Sequence, residues 1–379
     1  MMIDYPTLRF IWWLLVGVLL IGFAVMDGHD LGVGTLLPWI GRDDDERRVL
    51  LNAIGPHWDG NQVWFITGGG ALFAAWPFIY ATAFSGFYWA MLAVLWTLFL
   101  RPVGFDYRSK LPYAGWRGFW DGALFISGLV PPIIFGVAFG NLLQGVPFTF
   151  DDTLRASYSG TFWALLNPFA LLCGLVSSAM ITFQGATFLI IKTEGAPQAR
   201  ARRAAMFMGL AAALLFALAG AWVSRLPGYQ IVAGALPGAE SNPLAKTVLV
   251  HAGAWMTNYH RRPLLWLLPA VGIAAALAGS LLARRGRGGW AFIASSLTQA
   301  GIIGTAGSSM FPFLMPSSLN PNASLTVWDA SSSRLTLAVM FWVALIFTPL
   351  IVLYTSWCYR VMRGPVTVEA VRKNSKTAY

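Results

Sequence analysis

The sequence predicts an all-α integral membrane protein with about nine transmembrane helices. Of its 379 residues, 57% are hydrophobic and only 11% are charged, and the mean hydropathy is +0.61. Runs of about 20 apolar residues, the length that crosses a bilayer as a helix, recur along the whole chain. The net charge of +10 does not indicate nucleic-acid binding, because the basic residues form short clusters between these runs.

The predicted spans follow one another with short connections, so we expect one polytopic membrane domain over residues 1–379. The longest connection, residues 224–263, is too short for a separate domain. One predicted span, residues 55–76, is impure because it opens with polar residues. The other predicted spans are residues 10–26, 79–100, 119–140, 162–190, 204–223, 264–282, 290–313 and 335–357.

The distribution of basic residues predicts how the spans are oriented, because lysine and arginine gather on the cytoplasmic side of a membrane. With the impure span counted, most of the 26 lysines and arginines fall on one side. They lie in residues 42–48, 101–117, 192–203 and 284–287 and in the carboxyl-terminal tail. Omitting that span weakens the asymmetry. We therefore predict a periplasmic amino terminus and a cytoplasmic carboxyl terminus.

Ionisable residues at membrane depth are the main functional signal in the sequence. The impure span begins with His57 and Asp59, and the first span ends at Asp27 and Asp30. In the predicted topology both groups lie near the cytoplasmic face. Because ionisable groups are costly in a bilayer, they typically mark ion or proton paths. The alternative is that His57 and Asp59 only cap a helix at the level of the headgroups.

Arg101 and Asp106 follow the third span and join the same predicted cytoplasmic group. Burial favours the protonated form of a carboxyl group, whereas a neighbouring arginine favours the ionised form. The sequence does not decide between these effects. Arg101 is equally well explained as an interfacial anchor whose charged head reaches the aqueous phase.

The supply of metal ligands limits the redox chemistry of this chain. Two of the four histidines, His251 and His260, lie in the long predicted external connection. Cys173 and Cys358 form no paired motif, and no H-E-x-x-H sequence occurs. We therefore expect no metal site and no haem bound by this chain alone.

Several long motifs resemble subunit II of the bacterial cytochrome bd quinol oxidases, and they cover nearly the whole chain. They include the sequences beginning at Arg9 (R-F-I-W-W-L-L-V-G), Asp27 (D-G-H-D-L-G-V-G), Pro56 (P-H-W-D-G-N-Q-V-W), Arg101 (R-P-V-G-F-D-Y-R), Phe139 (F-G-N-L-L-Q-G-V-P-F) and Met310 (M-F-P-F-L-M-P-S-S).

The resemblance implies two four-helix bundles plus one peripheral helix in a bacterial inner membrane. It also implies a partner, subunit I, that carries haems b and d and the quinol site, so that this chain binds no haem. Such oxidases oxidise quinol, reduce dioxygen to water and take protons from the cytoplasm. A structural quinone on this subunit and a small single-helix accessory subunit belong to the same expectation.

By position, Asp27, His57 and Asp59 match acids and a histidine in the cytoplasmic proton route of that family. We extend the predicted route to Asp30, Arg101 and Asp106. Trp64 matches a tryptophan associated with an apolar oxygen passage. His29 departs from the bulky apolar residue expected in the related D-G-F-D run, which leaves open whether a third titratable group joins the route.

Two other functions remain consistent with the residues. A proton-coupled secondary transporter would also place polar residues in a broken helix, and it would be active as a single chain. A purely structural scaffold subunit would tolerate neutral substitutions of the buried acids.

Overall fold

The computed structural model describes residues 3–373 and 379, and most of these residues are helical. The connections are short, and several helices follow one another almost without interruption. The α-helices in chain order are α1 (Tyr5–Ile40), α2 (Asp44–Ile54), α3 (Trp58–Ala75), α4 (Pro77–Gly86), α5 (Tyr88–Tyr107), α6 (Ala114–Gln144), α7 (Pro168–Lys192), α8 (Gly195–Val223), α9 (Thr257–Arg261), α10 (Leu267–Arg284), α11 (Gly288–Met310), α12 (Arg334–Val361) and α13 (Val368–Lys373).

Seven helical segments within the described ranges are long and apolar enough to cross a membrane. This result confirms the predicted all-α, multi-pass membrane class. The impure predicted span forms α3 and the predicted span 290–313 forms α11, but neither is among the seven. The total of nine spans therefore stays a prediction. The seven segments are Tyr5–Ile40, Tyr88–Lys110, Ala114–Gln144, Pro168–Lys192, Gly195–Val223, Pro263–Arg284 and Arg334–Val361.

Helix α1 is much longer than the predicted span 10–26. The Asp4 side chain accepts a hydrogen bond from the Thr7 backbone N–H (3.3 Å) and begins the helix, which continues for 36 residues to the cap at Gly41. At 1.5 Å per residue its length is about 54 Å. Consequently Asp27 and Asp30 lie inside a helix, not in the connection after it.

Two other predicted spans differ from the helices that form. The predicted span 79–100 is interrupted at Phe87, between α4 and α5. The Tyr158 ring packs so closely on Gly86 that a Cβ atom there would lie 2.5 Å from it. The predicted span 162–190 becomes α-helical only at Pro168, after a short 3-10 helix at Trp163–Leu165. Asn167 caps α7 by accepting a hydrogen bond from the Ala170 N–H (2.9 Å).

Helix α1 packs against α3, α6 and α7, while α7 also contacts α8 and α11, and α10 lies against α8 and α11. One close approach joins Gly32 of α1 to Gly185 of α7. A Cβ atom on Gly185 would lie 2.4 Å from the Gly32 carbonyl carbon, so only glycine permits this crossing. Helix α12 is mostly exposed, and Leu337 is its only buried residue.

One end of the helices, here named the strand end, carries three antiparallel pairs: β1 (Phe148–Phe150) with β2 (Ala156–Tyr158), β3 (Pro227–Gly234) with β4 (Lys246–Ala252), and β5 (Phe313–Met315) with β6 (Leu325–Thr326). Lys246 is buried there and its ammonium lies 2.9 Å from the Asp329 carboxylate. Burial lowers the pKa of Lys246, and the charge of Asp329 opposes that shift.

The opposite end, here named the basic end, carries α2 and most of the arginine ion pairs. Asp43 caps α2 by accepting a hydrogen bond from the Glu46 N–H (2.9 Å). Arg108 contacts Asp121 at 2.5 Å, and Arg200 contacts Glu46 at 2.5 Å. Burial raises the pKa of Glu46, but the hydrogen bond from Arg200 and the backbone N–H of Arg42 hold it below its usual value.

We expect Gly185→Ala to destabilise the assembled protein by about 1–3 kcal/mol, because the new methyl group would force α1 and α7 apart. Gly220→Ala in α8 is the matched control, since no described atom lies within 4 Å of a Cβ atom there. The control should be neutral or slightly stabilising. Thermal unfolding of the purified variants measures both effects, and equal melting temperatures would contradict the close crossing.

Candidate functional site

A buried ion pair joins α1 to α5 near the basic end. The Arg101 guanidinium Nη2 donates to the Asp27 carboxylate Oδ1 at 2.8 Å, and the two residues are only 3% and 1% exposed. The Arg101 guanidinium also lies over the Trp58 ring, 5.3 Å from its centroid. Arg101 is therefore no surface anchor. A charge pair buried this deeply needs both members, because either one left alone would be an uncompensated charge.

One helical turn further along α1, Asp30 forms the centre of a second buried group. The Asn61 amide Nδ2 donates to Asp30 Oδ2 at 2.7 Å. His57 Nδ1 lies 3.7 Å from the other carboxylate oxygen, Oδ1. The Tyr359 hydroxyl donates to Asn61 Oδ1 at 3.0 Å, so α12 also reaches this group.

His29 completes the group from the α1 side. Its Nε2 lies 3.4 Å from Asp30 Oδ1, and its ring stacks near Phe188 of α7 with centroids 4.1 Å apart. The ring centroids of His29 and His57 are 5.5 Å apart. The structure thus places a third titratable side chain among the predicted ones, which the sequence left open. We name His29, Asp30, His57, Asn61 and Tyr359 the polar cluster.

The His57 side chain does not cap α3, although the sequence allowed that alternative. His57 stands at the amino-terminal cap of α3, but its imidazole forms no cap hydrogen bond. Its Nε2 instead lies 3.1 Å from the Ala53 carbonyl oxygen, and its Nδ1 faces Asp30 and Asn61. Asn61 is four residues further on and therefore shares the same helix face.

Two predicted site residues lie outside the buried groups. Asp59 and Asp106 are both exposed on the surface of this chain. Asp59 is two residues after His57, which turns its side chain by roughly 200° around the helix axis. Asp106 follows Arg101 by five residues and is likewise on another face. Asp59 nevertheless lies near enough for its charge to act on Arg101.

Sequence reasoning missed Tyr359 as a site residue and named Asn61 only as part of a polar motif. Tyr359 lies near the end of the most hydrophobic predicted span and is 298 residues away from Asn61 along the chain. No local pattern distinguishes it from an interfacial aromatic residue. Asn61 has a local signal, since it repeats the position of His57 one helical turn later.

Trp64 lies one turn beyond Asn61 and is partly buried against α1. A Cβ atom on Gly22 would lie 2.4 Å from the Trp64 ring, so the glycine creates the space for the indole. Neighbouring aromatic residues, among them Phe23 and Phe65 with ring centroids 5.2 Å apart, continue this apolar region. The tryptophan therefore lines an apolar contact between α1 and α3.

The residues around the two buried histidines do not fit a haem. Asp30, Asn61 and Tyr359 all lie within 3.7 Å of His57 Nδ1 and fill the side of the rings where a porphyrin would bind. His251 and His260 lie at the strand end, His251 in β4 and His260 in α9. Among the described residues, no pair of histidines faces a slot between helices that could hold a porphyrin plane.

The chain matches the family model described as cytochrome bd terminal oxidase subunit II over residues 8–362. It is 57% identical to cytochrome bd-I ubiquinol oxidase subunit 2 of Escherichia coli strain K12, over 100% of both chains. It is 34% identical to cytochrome bd ubiquinol oxidase subunit 2 of Bacillus subtilis, over 95% of this chain and 97% of the relative.

A solved structure of bd oxidase from Geobacillus thermodenitrificans shares the fold. A chain of that structure superimposes with a TM-score of 0.66 at 17% identity, covering 94% of this chain and 98% of that chain. At this identity the similarity concerns the fold alone. The family match and the full-length relatives together establish that the chain belongs to the cytochrome bd terminal oxidase subunit II family.

Proposed function

We propose that this chain is the haem-free subunit of a quinol-oxidising, dioxygen-reducing membrane complex and that it provides a proton route from the cytoplasm. The observation that carries this proposal is the burial of Asp27, Asp30 and His57 together at the basic end. Buried ionisable groups in a membrane protein are costly and typically mark a path for ions or protons. The chain itself performs no redox step in this account.

The proposed topology has nine spans, with a periplasmic amino terminus and a cytoplasmic carboxyl terminus. Its support is that α3 and α11 pack among the seven apolar helical segments. The contacts favour two four-helix bundles, in which α1, α3, α5 and α6 form one and α7, α8, α10 and α11 form the other, with α12 peripheral. The arginines of the basic end agree with a cytoplasmic position of that end.

In this orientation the exposed carboxylates Asp59 and Asp106 lie at the entrance of the route. The interior positions are Asp30 and His57, whose facing atoms are 3.7 Å apart, near enough for a proton to pass with a small shift or through one water molecule. Asp27 is paired with the Arg101 guanidinium at 2.8 Å. Asp27 therefore shapes the electric field of the route, while Asp30 is the residue placed to exchange a proton.

Haems b and d belong to the proposed partner, subunit I, because the histidines of this chain do not fit a haem. The proposed route accordingly ends at the surface that meets this partner. The quinol site lies in the partner as well. A structural quinone, membrane lipids and a small single-helix accessory subunit complete the proposed complex, and exposed apolar side chains along α12 offer them a surface.

We propose a second role for Trp64, as part of the wall of an apolar passage for dioxygen. The support is its position between α1 and α3, where it adjoins Phe23 and Phe65 away from the polar cluster. Dioxygen is apolar and partitions into such regions. Packing of the two helices across Gly22 is the structural role of the same ring.

Asp30→Asn should slow quinol-driven oxygen consumption by at least about tenfold, because the amide keeps the shape of the carboxyl group but cannot exchange the proton. The measurement is oxygen uptake by the purified complex with excess quinol. Asp152→Asn is the matched control, since Asp152 is exposed in the connection between β1 and β2. The control should keep full turnover.

The visible spectrum of the reduced haems shows whether each of these variants has assembled. Full turnover of an assembled Asp30→Asn complex would contradict the proton role and favour a structural scaffold. Solute accumulation by vesicles that contain this chain alone would favour a transporter instead.

Trp64→Ala should raise the apparent KM for dioxygen about threefold and leave kcat at saturating oxygen unchanged, because only access to the partner's haem is altered. Trp290→Ala, which removes an exposed indole from α11, is the control. Oxygen-uptake traces followed to low oxygen concentration give both parameters. An unchanged KM with an unchanged haem d spectrum would mean that Trp64 only packs the helices.

A further inference from the structure

Three potential metal ligands meet in the polar cluster. His29 Nε2 lies 3.4 Å from Asp30 Oδ1, His57 Nδ1 lies 3.7 Å from the same oxygen, and all three atoms lie within 4.8 Å of one another. Ligand atoms about 2.0–2.2 Å from a tetrahedral zinc ion are roughly 3.3–3.6 Å apart. To hold such an ion, the two imidazole nitrogens, which lie within 4.8 Å of each other, would have to approach by up to about 1.5 Å.

The two imidazoles direct lone pairs toward this point. His29 Nδ1 lies 3.1 Å from the Val25 carbonyl oxygen, and His57 Nε2 lies 3.1 Å from the Ala53 carbonyl oxygen. A carbonyl oxygen only accepts, so these nitrogens carry the hydrogen of each neutral ring. The nitrogens that face Asp30 are consequently unprotonated. Metal-binding histidines typically donate their second N–H to a carbonyl in this way.

Asp30 Oδ1 is the unpartnered atom between these nitrogens. Asp30 is 1% exposed, and among the described residues no donor forms a hydrogen bond to its Oδ1. The Asn61 amide nitrogen donates to the other oxygen, Oδ2, and also lies 3.1 Å from His57 Nδ1. The Tyr359 hydroxyl lies 3.3 Å from His29 Nε2 and 3.4 Å from His57 Nδ1, but it has one hydrogen and also bonds Asn61 Oδ1. The cluster thus has more acceptors than donors, a deficit that a cation would fill.

The sequence led us to expect no metal site, but the structure brings three ligands together. We propose that His29, Asp30 and His57 form a binding site for a divalent transition-metal ion of the zinc class. The fourth ligand would be the Tyr359 hydroxyl, which already lies beside both imidazole nitrogens, or a water molecule. A donor set of two imidazoles and one carboxylate favours zinc, copper or nickel over magnesium or calcium, which prefer oxygen ligands.

The charges around the site affect how tightly it would bind a metal ion. Arg101 is paired with Asp27, and the Lys192 ammonium donates a hydrogen bond to the Met362 carbonyl oxygen. The charge of Lys192 still acts on both histidines and that of Arg101 on His29, and both weaken the binding of a further positive ion. Only ligands that form strong directional bonds would overcome this repulsion, which is a second reason to expect a zinc-class ion.

The effect on turnover rests on the proposed function, because Asp30 and His57 are also in the proposed proton route. A zinc ion bound to Asp30 and His57 would occupy the lone pairs that accept protons. Zinc should therefore inhibit quinol-driven oxygen consumption. His29 makes this site particular to the sequence D-G-H-D. In the related D-G-F-D run the first imidazole is missing.

Zinc content of the assembled complex tests the site without any reference to activity. The purified complex is stripped with a chelator, loaded with zinc sulfate and desalted, and bound zinc is measured by mass spectrometry. We expect the wild type to retain about one zinc ion more per complex than His29→Phe. His251→Phe, which removes an exposed histidine of β4, should retain as much zinc as the wild type.

The haem spectrum shows that each variant has assembled, and His29→Leu replaces His29→Phe if the larger ring prevents assembly. Equal zinc content in the wild type and the His29 variants overturns the site. Zinc inhibition of turnover is then compared, and His29→Phe should require at least about tenfold more zinc. Zinc that binds through His29 and does not slow turnover would uphold the site and count against the proposed proton route.

Discussion

The burial of two carboxylates on α1 is the constraint on which the arrangement of the basic end depends. A buried charge without a partner costs several kcal/mol, so each carboxylate requires partners from other helices. Asp27 takes Arg101 from α5, while Asp30 takes Asn61 from α3 and lies beside His57. Tyr359 adds α12 to this arrangement, because its hydroxyl donates a hydrogen bond to Asn61. The side chains of one helix thus fix the positions of three others.

Glycine allows this arrangement to be compact. The contact of Gly32 with Gly185 brings α7 against α1 just beyond the polar cluster, and Phe188 of α7 then packs on the His29 ring. Close packing excludes most water, which strengthens every charge interaction inside. The same packing leaves Asp30 Oδ1 without a donor among the described residues. An atom in that state is suited to gain and lose a proton, or to bind a cation, as its environment changes.

Composition and hydropathy were sufficient to predict the membrane class, because runs of apolar residues report directly on the thickness of a bilayer. They did not predict where α1 ends. A hydropathy window stops at the first charged residues, whereas the helix continues through Asp27 and Asp30 to Ile40. Those charges are tolerated inside the helix because their partners come from α3 and α5. Partners that are distant in sequence leave no local pattern.

The same limit applies to the candidate site: the sequence indicates individual residues but not their partners in space. The sequence identified Asp27, Asp30 and His57 by their cost in a membrane and Arg101 by its position after the third span, and the structure brings these residues together. It also grouped Asp59 and Asp106 with them, because nearness along the chain does not reveal which helix face a side chain occupies. His29 was noticed only as a departure from a related motif. Its partnership with His57 depends on the packing of α1 against the start of α3.

In the function that we propose, protons pass from the cytoplasm through the buried Asp30 and His57 to the neighbouring subunit. A cryo-electron microscopy structure of the assembled complex, at a resolution that shows ordered water, would show whether this route exists. We expect water molecules that link Asp59 to Asp30 and His57 and continue from there to the partner's haems. Carboxylates that face the periplasm, or a cluster sealed from water on both sides, would contradict it.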